Sequence, residues 1–224
     1  MPTRVHQPQA GRLPRELVER WAGVPASVAA DLFAGLTLVD PAIRPLRPFA
    51  GRARLAGSAT TAWCDGTDYG AVHHAIAAAE SGDVIVVEAG GRPNPAIIGE
   101  LLGGAARAKG IAGVVVNGAV RDSGRLMQWP DFAVFARSIT PRGPSTMDQG
   151  VVNETMTFAG TLVAPRDLIL GDDDGLVVIP HGEAEARIEA ALARVRDEQG
   201  WERELATGRT TLDVFNVPPA ILPS

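Results

Sequence analysis

The sequence is poor in residue types on which several kinds of enzyme depend. It contains one cysteine, Cys64, which cannot form a disulfide within the chain and therefore fits a reducing compartment. No base stands near Cys64 in the sequence, so we interpret it as a packing or incidental residue rather than a nucleophile. Lys109 is the only lysine, and a Schiff-base mechanism would have to use that one residue.

The usual signatures of several catalytic classes are also missing. The chain has no Gly-x-Ser-x-Gly elbow, no Walker loop, no His-x-x-x-His or Cys-x-x-Cys pair and no dinucleotide fingerprint. These absences argue against common serine hydrolase, nucleotide-dependent and zinc chemistry. If the chain is an enzyme, they favour chemistry that is assisted by a metal ion.

Charge and hydropathy argue against two kinds of partner. The formal net charge of -5 and the sequence pI near 5.4 predict that nucleic acid is not a partner. No apolar run approaches the roughly 20 residues that span a bilayer, and residues 1–21 hold no continuous apolar segment typical of a secretory signal. We therefore expect a cytoplasmic protein without a membrane partner.

The order of patterns along the chain predicts one α/β domain. We expect a loose N-terminal arm over about residues 1–12, two helices between Leu13 and Leu36 that are separated near Gly23, and a C-terminal amphipathic helix over about residues 183–205. Strands alternating with helices in the middle of the chain indicate a βαβ unit. The predicted strands are 54–62, 84–88, 114–120, 132–137, 151–152, 155–158, 161–163, 168–170 and 175–179, and the predicted helices between them are 69–79 and 96–109.

The most informative local feature is the pair Arg121–Asp122, which directly follows the apolar run Val114–Val120. The ends of buried strands in α/β sheets are common places for functional residues. A guanidinium matches the geometry of a planar carboxylate, and a carboxylate is a hard oxygen ligand for Mg²⁺ or Mn²⁺. The pair therefore predicts a site for a small anionic substrate and a metal ion, with a surface salt link as the alternative.

A second feature is the segment from Gly99 to Gly104, which reads Gly-Glu-Leu-Leu-Gly-Gly. Glycines at the entrance to a helix let the backbone approach a ligand, and the unpaired N–H groups there can bind an anion. Glu100 would be available to order water or a metal ion. Glycine also permits tight helix packing, but the βαβ context should bring this segment close to Arg121.

Two other candidates are interpreted as structural. The run from Gly171 to Gly175 contains three adjacent aspartates, yet its ligands do not alternate as in a calcium loop, and the flanking glycines favour a tight hairpin. His73 and His74 are adjacent on a predicted helix and therefore point in different directions. We interpret both as ordinary helix histidines.

Several segments together resemble the RraA-like family, whose enzyme members are 4-hydroxy-4-methyl-2-oxoglutarate/4-carboxy-4-hydroxy-2-oxoadipate aldolases. The matching residues run from Gly99 to Leu102 and from Ala108 to Asp122. Further matches lie at residues 39–46, 135–144 and 171–177, so the resemblance covers most of the chain from about Ser27 to Ile179.

The resemblance implies a β/β/α swivelling-type fold of the α/β class, with a central sheet and flanking helices, assembled as a homotrimer or a hexamer. It implies a class II lyase that uses a divalent metal, Mg²⁺ or Mn²⁺, to cleave or decarboxylate a small oxo acid to pyruvate. Some family members instead bind ribonuclease E and regulate it, which is the alternative for this chain. Many also carry a menaquinone methyltransferase label, but the sequence offers no methyl-donor site of the usual kind.

Roles for individual residues also follow from the resemblance. Arg121 would bind the carboxylate end of the pyruvyl group and stabilise the enolate, and Asp122 would carry the metal directly or through water. Beside Gly99, the backbone N–H groups of Leu101 and Leu102 would hold the substrate carboxylate.

Three further positions depend on the same resemblance. Glu100 matches an acidic position that orders water at the metal. Glu198 is the candidate for a carboxylate that a neighbouring subunit contributes from its C-terminal helix. Asn117 departs from the family because many members carry Asp there, and for this reason the natural substrate stays open.

Overall fold

The computed structural model of the chain describes residues 2–33, 37–50 and 54–221. The strands of these ranges are β1 Arg4–Val5, β2 Arg44–Pro45, β3 Leu55–Trp63, β4 Val84–Glu88, β5 Ala96–Ile98, β6 Gly113–Val120, β7 Ala133–Ile139, β8 Val151–Val152, β9 Met156–Phe158, β10 Thr161–Val163, β11 Leu168–Asp172 and β12 Gly175–Ile179. The helices are α1 Arg15–Ala22, α2 Ala26–Leu32, α3 Gly70–Ala78, α4 Glu100–Ala108, α5 Ser123–Leu126, α6 His181–Ala206 and α7 Thr211–Val214. The predicted α/β class is confirmed.

The centre of the fold is a mixed sheet in which β3, β4, β6 and β7 lie side by side and run parallel. Every residue of β4 and β6 is buried, as expected for strands covered on both faces. Because the four strands are parallel, their carboxyl ends meet at one edge of the sheet. The residues that follow β6 therefore emerge where the loops after its neighbours also gather.

Apolar residues on the two faces of this sheet fill separate cores. Helices α3 and α4 pack on one face, where alternate residues of β4 and β6 such as Ile85 and Val116 are buried. The opposite face carries Val86, Val115 and Phe135 against the β11–β12 hairpin. A third core lies where α1, α2 and α6 cover the outer side of that hairpin, around the fully buried Trp21.

One predicted helix begins in the wrong place. Residues 96–98 form strand β5 beside β6, and helix α4 starts only at Glu100, with Gly99 as its N-cap residue. The strand is held from both sides, since Ala96 N donates to Arg142 O at 2.8 Å and Arg121 N donates to Ile98 O at 2.9 Å. These long-range bonds outweigh the local helical pattern, and they bring the start of α4 to the end of β6.

The prediction of a loose N-terminal arm is also wrong. Strand β1 pairs with β8 in the sheet, and Arg12 donates to the fully buried carboxylate of Asp83 at 2.7 Å. Arg166 contacts the same carboxylate at 3.1 Å. A buried charge must be paired and hydrogen bonded, so Asp83 attracts the arm onto the body of the protein.

Other predictions agree with the structure. Two helices, α1 and α2, are separated at residues 23–25, and α6 provides the long C-terminal helix; residues 34–36 of the predicted helical region lie outside the described residues. Lys109 donates to the last carbonyl groups of α3, from Ile76 and Ala77, which is the helix-capping role of a basic side chain. In the part of the chain that the structure describes, no helix is long and apolar enough to cross a bilayer.

Candidate functional site

Arg121 and Asp122 lie at the carboxyl end of β6, where the chain turns sharply into α5. Asp122 adopts the left-handed region with φ of 57° and serves as the N-cap residue of that short helix. Its Oδ2 accepts a hydrogen bond from Glu100 N at 3.1 Å and lies 3.7 Å from Arg121 Nε. The structure thus joins the two features that the sequence predicts to be close, the Arg–Asp pair and the start of α4.

The first turn of α4 presents unpaired donors beside this pair. Gly103 N donates to Gly99 O, but neither Leu101 nor Leu102 donates its backbone N–H to any acceptor within the described ranges. Free N–H groups at a helix N-terminus, together with the helix dipole, favour a carboxylate or phosphate. These two N–H groups are therefore available to an anion, and the role that the resemblance assigns to Leu101 and Leu102 stays a prediction.

Gly99 is required here for space. A Cβ at Gly99 would lie 2.5 Å from Asp122 Oδ2 and 2.8 Å from Arg121 Cγ, closer than real Cβ contacts. Its φ of -141° is extended and open to any residue. The glycine is therefore needed because Arg121 and Asp122 approach its backbone closely, and not because of an unusual backbone conformation. Any larger residue at 99 would push the Arg–Asp pair away from α4.

The guanidinium of Arg121 is available for a ligand. Apart from the 3.7 Å approach of Asp122, no acceptor among the described residues pairs with it, and its side chain is 40% exposed. On one side it is confined by Gly143, because a Cβ there would lie 2.4 Å from Arg121 Nη1. Sequence reasoning did not identify Gly143 as a site residue, although it lies in the segment 135–144 that resembles the family.

The loop that carries Gly143 is anchored at its far end by Asp68. This buried carboxylate accepts hydrogen bonds from the backbone N–H groups of Gly70, Asp148 and Gln149 at 2.7–3.1 Å. Burial by itself would raise the pKa of Asp68, but these N–H donors and the Thr146 hydroxyl lower it to about 2. Asp68 therefore stays ionised and holds the loop against the start of α3.

Two clefts open on either side of Arg121. The first, which we call the polar cleft, has a volume of about 570 Å³ and is lined by Glu100, Arg121, Asp122 and Arg125, with hydroxyl groups from Ser123 and Thr140. The second, the apolar cleft, has a volume of about 190 Å³. Its lining includes Tyr69, His73, Leu101, Leu102 and Pro144, together with Arg121.

His73 is placed differently from its neighbour. Its ring contacts that of Tyr69 at a centroid distance of 4.9 Å and lines the apolar cleft, whereas His74 does not line it. The interpretation of both as ordinary helix histidines thus missed that one of them borders the candidate site. His73 comes near Arg121 through tertiary packing of α3 beside α4 and the loop that carries Pro144, so the local sequence carries no signal for it.

The polar cleft contains oxygen donors that suit a hard cation. Asp122 and Glu100 have half-exposed carboxylates and are linked through the Glu100 N–H bond. Among the described residues, no group of three or more His, Cys, Asp or Glu side chains is arranged to hold a metal ion. Mg²⁺ commonly takes one or two protein carboxylates and completes its shell with water and substrate oxygens, so these two residues fit such an ion.

Asn117 lies outside both clefts, in a buried polar cluster behind them. Its Nδ2 donates to the Glu88 carboxylate at 2.8–2.9 Å, and its Oδ1 accepts from Arg137 Nε at 2.8 Å. Arg137 in turn binds Asp40 at 2.6 Å. An amide is needed at 117 because it must donate to one neighbour and accept from the other, which a carboxylate cannot do.

Glu198 is not brought to the site within one chain. It lies on α6 and forms an ion pair with Arg194 at 3.1 Å, four residues earlier on the same helix. It lines neither the polar nor the apolar cleft. Its role as a carboxylate from a neighbouring subunit therefore stays a prediction.

Two structural interpretations from the sequence are confirmed. The carboxylates of the 171–175 run bind backbone N–H groups, with Asp172 accepting from Ala26 N and Asp173 from Phe49 N, so the run is a hairpin turn that ties neighbouring segments together. Cys64 is buried, and burial followed by the negative charges of Asp68 and Glu88 raises the pKa of its thiol to about 12. Such a thiol is not a nucleophile at neutral pH.

Comparison with known proteins identifies relatives along most of the chain. The family model described as "RraA-like: Aldolase/RraA" matches residues 27–178. A protein of Halalkalibacterium halodurans named "Putative 4-hydroxy-4-methyl-2-oxoglutarate aldolase" is 33% identical over 191 residues, covering 85% of this chain and 89% of its own length. A protein of the same name from Alkalilimnicola ehrlichii is 36% identical over 156 residues, covering 69% of this chain and 94% of its own length.

Solved structures agree with these sequence relatives. The RNA-processing inhibitor RraA from Thermus thermophilus is 31% identical and superposes with a TM-score of 0.62, covering 70% of this chain and 92% of that protein. An uncharacterized protein from Pseudomonas syringae superposes with a TM-score of 0.79 at 23% identity, covering 92% and 99% of the two chains. The second similarity concerns the fold alone.

Proposed function

The chain belongs to the RraA-like family, and from this membership we propose that it is a class II lyase that releases pyruvate from 4-hydroxy-4-methyl-2-oxoglutarate-like oxo acids. We propose that it also decarboxylates oxaloacetate. Both reactions break a carbon–carbon bond next to a 2-oxo acid and leave a pyruvate enolate. The site must therefore bind a carboxylate and stabilise an adjacent oxyanion.

One observation carries this proposal. The guanidinium of Arg121, whose one carboxylate contact is the 3.7 Å approach of Asp122, lies between two carboxylates, Glu100 and Asp122, and the backbone N–H groups of Leu101 and Leu102, for which the described residues offer no acceptor. The N–H groups suit the carboxylate of the oxo acid, and the two carboxylates suit a divalent cation. A surface salt link would not require this arrangement.

The positions of the residues suggest how substrate would bind. The carboxylate next to the oxo group would accept from the N–H groups of Leu101 and Leu102, at the boundary between the clefts. Arg121, which lines both clefts, would donate to that carboxylate and to the oxo oxygen. Since fixed positive charge is most valuable where negative charge develops, Arg121 would stabilise the enolate more strongly than the bound substrate.

Asp122 and Glu100 would provide the ligands for Mg²⁺ or Mn²⁺, directly or through water. When bound there, such an ion would act as a Lewis acid that polarises the oxo group. Glu100 is half-exposed and would order the water that accepts the proton of the substrate hydroxyl as the carbon–carbon bond breaks. Protonation of the resulting enolate carbon would then yield pyruvate.

The test is an assay of pyruvate release by the purified full-length protein. It should be incubated with 4-hydroxy-4-methyl-2-oxoglutarate and, separately, with oxaloacetate, each with Mg²⁺, with Mn²⁺ and with excess EDTA. We expect pyruvate with either metal above the rate without protein, and its loss with EDTA. No metal-dependent pyruvate from either substrate would refute the proposal.

A second function is supported by the similarity to the Thermus RNA-processing inhibitor and by exposed apolar side chains around the site. Leu101, Ile139 and Met147 are 78%, 58% and 62% exposed, which is high for large apolar residues. A non-catalytic regulator would use this face to bind a ribonuclease E-type enzyme. The discriminating measurement is RNA cleavage by ribonuclease E with increasing amounts of this protein, which a purely catalytic role predicts to be unchanged.

We also propose that the protein forms a trimer, or a hexamer made of two trimers, in which Glu198 approaches the polar cleft of a neighbouring subunit. The proposal is supported by the family membership and by the fact that Glu198 lines neither cleft of its own chain. Light scattering coupled to size-exclusion chromatography measures the mass directly. A monomer at catalytic concentrations that still releases pyruvate would contradict this assembly.

A further inference from the structure

The polar cleft contains a second guanidinium that the proposed reaction does not yet use. Arg125 lies on α5, three residues after Asp122, which is the N-cap residue of that helix. Arg125 lines the same cleft as Arg121, Glu100 and Asp122. Its side chain is 59% exposed, which leaves it free to meet a ligand from solution.

The partners of Arg125 within the chain are weak. Its Nε lies 3.9 Å from Glu100 Oε2, at the outer limit of an ion pair, and its Nη1 donates to Gln128 at 3.2 Å. An exposed pair of this kind contributes little to stability. The position of Arg125 therefore lacks a strong structural reason, although it places a positive charge inside the cleft.

The polar cleft also contains more cationic hydrogen-bond donors than one substrate carboxylate needs. In the proposed binding mode, Arg121 and the N–H groups of Leu101 and Leu102 would supply the donors for the carboxylate beside the oxo group. A second arginine in the same cleft adds a planar fork of donors suited to a second carboxylate. A substrate with a single carboxylate would leave that fork in water.

We propose that Arg125 binds the distal carboxylate of a dicarboxylic 2-oxo acid and so makes the enzyme selective for substrates with a second carboxylate. This inference rests on the proposed lyase function. Arg121 then acts at the reacting end of the substrate, while Arg125 sets the identity of the other end. Arg125 is a specificity-determining residue whose removal changes which substrate is used rather than whether the bond breaks.

The test compares two substrates that share the bond to be cleaved. These are 4-hydroxy-4-methyl-2-oxoglutarate and 4-hydroxy-4-methyl-2-oxopentanoate, in which a methyl group replaces the distal carboxylate; both release pyruvate. The wild-type protein is expected to prefer the dicarboxylate. Arg125→Gln is expected to lower kcat/KM for the dicarboxylate roughly 10- to 100-fold, mainly through KM, because one charge-assisted interaction is lost. Its kcat/KM for the monocarboxylate should change by less than about 2-fold.

Two companion variants separate charge from structure. Arg125→Lys keeps the positive charge without the fork and should recover part of the preference. Arg15→Gln is the matched control, because Arg15 has one carboxylate partner, is 92% exposed and lies outside the polar cleft. It should leave both substrates unaffected.

A wild-type protein that does not discriminate between the two substrates would overturn the inference. Equal losses of kcat/KM for both substrates in Arg125→Gln would also overturn it. That result would mean that Arg125 acts on Glu100 and the reacting centre and not on the distal carboxylate. Binding supplies a readout that does not depend on turnover, with 2-oxoglutarate as the dicarboxylate and 2-oxobutyrate as the monocarboxylate in calorimetry. Absence of pyruvate from every substrate refutes the lyase function, whereas Arg125→Gln binding 2-oxoglutarate as tightly as wild type refutes the inference alone.

Discussion

Gly143 closes one side of the space that the Arg121 guanidinium occupies, at a distance that leaves no room for a side chain. A Cβ at residue 143 would lie 2.4 Å from Arg121 Nη1 and 3.2 Å from Arg121 Cζ. On the other side, a Cβ at Gly99 would lie 3.0 Å from Arg121 Nε. The two glycines therefore fix where the guanidinium can be, although 44 positions, 99 to 143, separate them along the chain.

Gly143→Ala is expected to move the Arg121 guanidinium and lower kcat for pyruvate release by about 10- to 100-fold, since a displacement of about 1 Å is costly in an active site. The melting temperature should change by only a few degrees, because the guanidinium lies in an open cleft. Gly182→Ala is the control, as a Cβ there meets nothing within 4 Å. Unchanged kcat in Gly143→Ala would show that the position of Arg121 is not critical.

Arg121→Ala removes the guanidinium that both clefts share. We expect pyruvate release to fall by at least about 10³-fold, because the loss combines substrate binding with stabilisation of the enolate. The mass in solution and the circular dichroism spectrum should match those of the wild-type protein, since no strong partner within the described chain depends on Arg121. Activity that persisted in this variant would mean that the site has been assigned to the wrong residue.

Asp68→Asn is expected to weaken the anchor of the loop 140–149. The amide replaces one acceptor oxygen by a donor that faces backbone N–H groups, which should lower the free energy of unfolding by about 2 kcal/mol at pH 7. The pKa of Asp68 is lowered to about 2 from 3.8, so the ionised carboxylate stabilises the folded state above pH 4, and this contribution is lost as the pH falls towards 2.

Urea unfolding of wild type and Asp68→Asn between pH 2 and pH 7 measures this difference. It should be constant above pH 5 and shrink at acidic pH. Asp65→Asn is the neighbouring control, because the Asp65 side chain is exposed. A difference that grew on acidification would contradict the assignment of Asp68 as an ionised anchor.

Asn117→Asp introduces the residue type that the resemblance leads us to expect at this position, and in this chain it would face the carboxylate of Glu88. Two adjacent buried carboxyls raise the pKa of at least one of them. When the pKa of a carboxyl is raised in the folded state, the folded state is favoured at low pH, and this stability is lost as the pH rises. The variant should therefore become less stable than wild type between pH 4 and pH 8.

Thermal unfolding across that pH range tests the prediction, with the exposed Asn216→Asp as the matched control. Substrate preference should be unaffected in Asn117→Asp, because Asn117 lies outside both clefts. A change in preference without a change in stability would mean that the buried cluster acts on the site.

Local patterns in the sequence were sufficient to predict much of the fold and to select the candidate site. The run Val114–Val120 predicts a strand buried on both faces, and the polar pair after it predicts a site at the end of that strand. Both conclusions depend only on neighbours in sequence, namely continuous apolar character and the abrupt change at Arg121. The structure confirms the buried strand, because a strand covered on both faces has no alternative to burial. The site at its end stays a prediction.

The strand conformation of residues 96–98 and the attachment of the N-terminal arm both depend on tertiary contacts. Residues 96–98 are too few to show a strand pattern, and their strand state depends on bonds to Arg142 and Arg121. The arm is held by its pairing with β8 and by Arg12, which neutralises the buried carboxylate of Asp83. In both cases the stabilising partner is distant in sequence, so no local pattern could report it.

The sequence by itself determined the α/β class, and it was enough to select Arg121 and Asp122 as the candidate site residues. Only the tertiary structure placed Gly143 against Arg121, His73 beside the apolar cleft and Arg125 in the polar cleft. The physical reason is that apolar periodicity is a property of residues close together in the sequence, so it can be recognised without the fold. The walls of a cleft are assembled from loops that meet only when parallel strands align their carboxyl ends.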